Sequence, residues 1–322
     1  MFNLPEMISK SLNQPMSCGK VRPMRCHGIS LRKPAIAFIV VHLASLLGIS
    51  PSVRAEHLTR ETEEAFARYV RASEARLDQG LAGRGGFLSV DALPQSSREQ
   101  AYADLKNGHV LIQQSQSNDL AGALSVPGGL VHDWTGTVFI PGVSMSQVIS
   151  VLQDYDRASK YYEPQVLKSK LLAHSGNDFH VFLQLKQVHV VTVVLDTEYD
   201  VHYMLLDENH TLSRSYSTRV AEVERVGELQ EREIPVGVDH GFLWHLYSYW
   251  RFYQSKDGVY IECNAISLTR SVPIGLGWLV RPFIETVPKD SLVFTLEATR
   301  ESVVEQMHGS SSKKLLLWES NG

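Results

Sequence analysis

Between Trp134 and Arg270 the chain reads as strand after strand, and most of the breaks are too short to hold anything but a turn. Strands are expected at Trp134–Ile140, Gln165–His174, Phe179–Val188, Val190–Tyr199, Val201–Leu206, Ser213–Glu224, Phe242–Gln254 and Gly258–Arg270. The breakers carry turn chemistry: Ser175-Gly176-Asn177-Asp178, Asp207-Glu208-Asn209, Pro235-Val236-Gly237 and Lys256-Asp257-Gly258. Parallel strands need crossovers of about a dozen residues or more, so these turns dictate an antiparallel, meander-like sheet. One helix interrupts it early, where Met145, Val148, Ile149, Leu152 and Tyr155 share a face and Ser144 stands ready as its cap.

Helical periodicity flanks the sheet on both sides. Phe66, Tyr69, Val70, Ser73 and Leu77 form one stripe within Glu56–Leu81, with Thr59 as N-cap and Gly80 and Gly83 as stops. A short helix at Ser96–Lys106 and a short strand at His109–Gln114 follow. Beyond Arg270, Pro273, Pro282 and Pro288 punctuate the approach to a long helix. Its apolar stripe is Leu292, Leu296, Thr299, Val303 and Met307. A curved antiparallel sheet wrapped around that C-terminal helix is the economical way to bury the stripe, which makes the expected class α+β. The expected organisation is a signal peptide at 1–55, a helical extension at 56–130, the sheet-and-helix domain at 131–308 and a frayed tail at 309–322.

Charge divides along the same boundary. Residues 1–55 carry a balance of +6 against −4 for the whole chain, which leaves the remainder at −10. An acidic main domain is a poor polyanion binder, so nucleic acid is not an expected partner. Arg32-Lys33 precede an apolar run, Ala35 to Ile49, followed by Val53-Arg54-Ala55. That is the order of n-region, h-region and small-residue cleavage site, and it predicts export to the periplasm or medium after cleavage near Ala55. Cys18 and Cys26 fall in the removed segment, so only Cys263 stays, as a small buried hydrophobe in the run Val259–Cys263.

Motifs for catalysis or metal binding are absent from the sequence: there is no H-E-x-x-H, C-x-x-C, G-x-S-x-G, Walker loop or G-x-G-x-x-G. Gly83-Arg84-Gly85-Gly86 lacks the strand and the Lys-Ser/Thr of a phosphate loop. No metal, no cofactor and no catalytic residue is expected. The candidate site is therefore a binding site. In Phe242–Gln254, alternation separates Phe242, Trp244, Leu246, Ser248, Trp250 and Phe252 from Leu243, His245, Tyr247, Tyr249, Arg251 and Tyr253. Both faces are aromatic and both are expected to be covered, by the C-terminal helix and by the extension, or in part by a ligand. Charges inside apolar strands are the sharper signals. Arg219 with Glu222, or Arg251 with Glu262, could orient a polar head, although strand parity sets Arg219 and Glu222 on opposite faces. The candidate ligand-binding residues are Arg219, Trp244, Tyr247, Tyr249, Trp250, Arg251, Glu262, Trp278, Phe283 and Leu296.

Several strings together resemble a known family. They are Asp133-Trp134-Thr135-Gly136, Val151-Leu152-Gln153-Asp154-Tyr155, Ser217-Thr218-Arg219-Val220, Gly241-Phe242-Leu243-Trp244, Tyr249-Trp250-Arg251-Phe252 and Ile266 through Pro273. Over roughly Val131 to Met307 the chain is similar to the SRPBCC superfamily of helix-grip proteins, which includes START lipid-transfer domains and polyketide cyclases, and most of all to its exported bacterial members. The resemblance implies a cavity between sheet and C-terminal helix that holds a hydrophobic small molecule or lipid, with peripheral membrane contact as a further partner. It implies no shared catalytic motif. Two other functions stay open: a cavity-based enzyme of cyclase or hydrolase type, and a protein-interaction module whose groove is filled by its own side chains.

Overall fold

The computed structural model describes residues 58–81, 86–115, 125–188, 192–236, 239–271 and 277–319, and of 277–285 and 309–319 the backbone only. The export segment and Gly83-Arg84-Gly85 lie outside the described residues, and the tail expected at 309–322 lies outside the described side chains. Two helices open the described chain: α1 (Arg60–Gln79) and α2 (Gln95–Lys106). Thr59 caps α1, its hydroxyl accepting from the Thr62 amide at 3.1 Å, and Gly80 ends it. The strands β1 (Leu111–Gln114) and β2 (Gly129–Pro141) come next, then α3 (Met145–Leu152) with Ser144 and Gln147 in a reciprocal capping box. A 3-10 turn at Tyr155–Arg157 and the short α4 (Ala158–Tyr161) lead into the meander.

The meander consists of β3 (Val166–Ser175), β4 (Asp178–Val188), β5 (Thr192–Leu205), β6 (His210–Glu224), β7 (Arg232–Glu233), β8 (His245–Ser255) and β9 (Gly258–Arg270). The sheet is antiparallel at every described pairing, in the order β1-β2-β9-β8-β6-β5-β4-β3, with β7 set against β6. The chain closes with α5 (Gly277–Glu319).

Three expectations about elements change. The two strands expected at Val190–Tyr199 and Val201–Leu206 give way to a single strand over Thr192–Leu205, because Asp200 does not break the ladder. Its side chain reaches His180 Nδ1 at 2.8 Å on the neighbouring strand. The strand expected from Phe242 begins at His245, after Gly241 turns at φ +72°. The C-terminal helix starts at Gly277 and runs through Pro282 and Pro288. Each proline removes one amide from the ladder, and tertiary packing of a long helix outweighs that local loss.

Both faces of the sheet are covered. On one, Val138 and Ile140 of β2, Phe252 of β8 and Val259, Ile261 and Cys263 of β9 pack against Leu292, Leu296 and Val303 of α5 and Val148 and Val151 of α3. On the other, Tyr249, Ile266 and Leu268 pack under Ala65, Phe66, Tyr69 and Val70 of α1, while Phe139 and Tyr260 pack under Leu88, Val90, Ala101 and Leu105. We call these the inner and outer faces.

Candidate ligand-binding site

Strand register lays the inner face out in rows. One row crosses the middle of the sheet through Trp134, Ala265, Ser248, Ser215 and Val201, each paired directly with the next. Along β8, Leu246 and Trp250 flank Ser248 on the same face. Six of these positions, Trp134, Ala265, Ser215, Leu246, Ser248 and Trp250, are only half-buried, although they sit mid-sheet on the face that carries α5. Their neighbours in the adjoining rows, Cys263, Ser213, Tyr203, Ser217 and Tyr199, are buried. Small residues, Ala265, Ser248 and Ser215, occupy the middle of this row, with the indoles of Trp134 and Trp250 and the side chain of Leu246 around them. Ser248 Oγ accepts from Trp250 Nε1 at 3.1 Å. Ser217 Oγ accepts from the Leu246 amide at 3.0 Å.

Four tyrosines stand on the same face beside this floor. Tyr199 and Tyr203 rise from β5, in one apolar cluster with Phe179, Val181 and Leu246. Tyr155 approaches from the 3-10 turn and bonds Tyr203, hydroxyl to hydroxyl, at 3.1 Å. Tyr162 lies 3.0 Å from Thr299 of α5. Because Thr299 Oγ1 donates to the Thr295 carbonyl, it accepts the Tyr162 proton. Burial pushes all four phenols up, Tyr162 and Tyr199 to about 12, so they are neutral hydrogen-bonding groups at any physiological pH. Two buried polar atoms on this face have no hydrogen-bond partner, Trp134 Nε1 and Tyr199 Oη.

The structure distributes the sequence-predicted residues over both faces. Trp250 borders the floor. Leu296 faces no open space: it is fully buried, wedged against Gly136, and belongs to the solid core. Tyr247, Tyr249, Arg251 and Glu262 are on the outer face, opposite α5. Tyr249 and Tyr216 donate to Glu74 of α1 at 3.0 and 2.6 Å, so these polar-tipped aromatics grip the extension. Arg251 and Glu262 do pair, at 3.1 Å and almost fully buried, and they too serve the extension. Arg251 donates to the Phe87 carbonyl, and Glu262 accepts from the Ser89 amide and hydroxyl at 2.7 and 2.5 Å and from Thr137. Trp244 shares a strand parity with Leu246 in the sequence but packs on the outer face with Ile266 and Leu268, since it precedes β8 and is not bound by its pleat.

Arg219 is on the outer side as well, paired with Glu233 and within 4.0 Å of Glu198. Glu222 is separate from it, accepting from the His240 and Phe242 amides and bonded to His240 Nδ1 at 2.7 Å. Trp278 and Phe283 lie on the first turns of α5, outside the described side chains. Tyr199, Tyr203 and Trp134 were readable only as strand residues. Their signal was parity, since Tyr199, Val201 and Tyr203 alternate onto one face. Cys263 is buried in the core under α5, and burial pushes its thiol up, which keeps it an inert thiol. Among the described residues no group of three or more His, Cys, Asp or Glu side chains comes together. A recess of about 510 Å³ opens elsewhere, lined by Ser96, Ser97, Gln100 and Asp104 of α2 with Thr135 and Thr137 of β2.

One long antiparallel sheet packs against one terminal helix. The fold is a helix grip. Several proteins of known structure are similar to the chain at low identity. A STAR-related lipid transfer protein fragment from Xanthomonas axonopodis is 18% identical, with 60% of this chain and 98% of that one covered at a TM-score of 0.39. The Zhui aromatase/cyclase from Streptomyces sp. R1128 is 15% identical over 56% of this chain and 96% of its own, at 0.37. Human STARD10 is 12% identical over 70% and 89%, at 0.37. No protein-family model and no curated protein matches the chain.

Proposed function

We propose that the protein binds a hydrophobic small molecule or lipid on the inner face, over the floor formed by Leu246, Ser248, Trp250, Ala265, Ser215 and Trp134. The observation that carries this reading is the exposure of those six positions amid buried neighbours, where a packed core would leave none. Burying an apolar ligand there gains about 25 cal/mol per Å² before association costs, enough for a lipid chain to reach micromolar affinity. In this reading the chain is exported and matures near Glu56, and it meets its ligand at a membrane surface. N-terminal sequencing of cell-made protein checks the first half: a product that keeps Ala35–Ile49 and stays membrane-bound would refute it.

Binding itself is tested by filling the floor. Ala265→Phe should abolish copurification of an apolar ligand in native mass spectrometry while the fold stays intact. If the variant unfolds and the wild type carries no ligand, the floor is core and the reading fails. A second reading, an enzyme of cyclase or hydrolase type, draws on the four phenols. It ranks behind the first because burial moves their pKa away from the working pH, which makes them good donors and poor general acids.

A further inference from the structure

The recess of about 510 Å³ between α2 and the β1–β2 pair lies apart from the inner face, and small-molecule sites run from about 300 to 1,000 Å³. Buried groups beneath it fix the hydrogen-bonding sense of its lining. Asn264 Nδ2 donates to Thr135 Oγ1 at 3.1 Å, and among the described residues that hydroxyl has no acceptor for its own proton. Ser89 does the reverse, giving its proton to Glu262 at 2.5 Å, so its oxygen has only lone pairs left. Thr135 is thus a donor and Ser89 an acceptor on the wall of one cavity. Around them Ser96, Ser97 and Gln113 are exposed and make no side-chain hydrogen bond among the described residues. Leu93 and Leu111, both half-buried, add apolar carbon.

Charge narrows the class of guest. Among the described residues Asp104 is the one charged side chain of the lining, so an anion would find a carboxylate and no cation. An amine would find that carboxylate already accepting from Gln100 Nε2 at 2.8 Å. An apolar molecule would take water away from the hydroxyls and return no bond, which is costly. A neutral molecule that both donates and accepts at several points, and also carries C–H faces, meets every part of the lining. We propose that this recess is a second binding site, for a neutral polyhydroxylated molecule of disaccharide size, with Thr135 donating to it and Ser89 accepting from it. The site goes beyond the hydrophobic-ligand reading and does not depend on it.

The full-length protein is titrated with maltose, cellobiose and trehalose, and with putrescine and succinate as charged counterparts, by calorimetry and saturation-transfer NMR. At least one disaccharide should bind with a Kd of about 1 mM or below, and neither charged probe should. Thr135→Val keeps the shape of the side chain and leaves Asn264 bonded to Asp133 and the Trp134 carbonyl. It should weaken the sugar about 3- to 10-fold. Ser97→Trp fills the recess from an exposed helix position, so it should melt with wild type and abolish sugar binding. Neither variant should change copurification of an apolar ligand, which the inner face is proposed to hold. If Thr135→Val does not fold, Ser97→Trp decides alone. The proposal is overturned if no disaccharide binds at about 20 mM, if putrescine or succinate binds in its place, or if sugar binding survives Ser97→Trp or is unmoved by a folded Thr135→Val.

Discussion

Gly136 sets how closely α5 can approach the sheet, and Gly136→Val measures that approach. A Cβ at this position would lie 2.5 Å from Leu296 Cδ1, 2.7 Å from Ile112 Cδ1 and 3.3 Å from Leu292 Cδ2. Carbon atoms pack at about 3.5–4.0 Å, so the first two methyls must each retreat by about 1 Å. Ile112, half-buried on the edge strand, can turn aside, but Leu296 cannot, since it is fully buried and Leu292 beside it nearly so, between β2, β9 and the rest of α5. Overpacking of this kind costs about 1–3 kcal/mol, and valine adds two methyls beyond the Cβ, which places the expectation near the upper end. At about 2–4 °C per kcal/mol for a domain of this size, the melting temperature should fall by about 5–10 °C. Ala265→Phe adds far more volume one row away on the same face, yet should shift melting by no more than about 3 °C if it enters the space proposed for the ligand. Thermal and urea denaturation of the two variants beside wild type decide the matter. The reasoning is refuted if Gly136→Val melts with wild type, or if Ala265→Phe is the more damaging of the two.

Two further outcomes are expected. Glu262→Gln leaves the Arg251 guanidinium buried without its counter-charge and should destabilise by about 3–5 kcal/mol in urea. In a double-mutant cycle, Arg251→Met should cost less in the Glu262→Gln background than in wild type, and simple additivity of the two would contradict the pairing. Because the phenols of Tyr155, Tyr162, Tyr199 and Tyr203 are raised above 10.0 in the fold, their contribution to stability is complete below pH 10 and lost as pH climbs beyond it. Phenolate absorbance from these four should therefore appear together with unfolding, and ionisation near pH 10 with the fold intact would contradict their burial.

How far the sequence could be read depended on what each residue answers to. Ser144 with Gln147 answers to its own helix, and the capped helix follows where periodicity put it. Along β8 the pleat enforces alternation, so the split of Trp250 and Phe252 from Tyr249, Arg251 and Tyr253 was legible, as was the covering of both faces. Which face holds a ligand was not, because an aromatic with a polar tip looks the same whether it meets a lipid or Glu74 of α1. The same ambiguity hid the purpose of Arg251 and Glu262, whose partners at Phe87 and Ser89 are remote in sequence. Trp244 misled because strand parity was carried past the end of the strand. The floor escaped notice for a different reason: Ser215, Ser248 and Ala265 are small and unremarkable singly, and only interstrand register brings them into one row.

The clamp between the extension and the outer face also imposes an order in time. Ser89 and Glu262 are 173 residues apart, and Glu74 and Tyr249 are 175 apart. Ribosomes add about 5–20 residues per second, so roughly 10–35 s pass between synthesis of the extension and synthesis of the strands that receive it. During that interval α1 exists without its docking surface, and in proteins most of a helix's stability comes from packing its apolar face. The part made first is therefore among the last to settle, and the sheet's outer aromatics are left uncovered until it does.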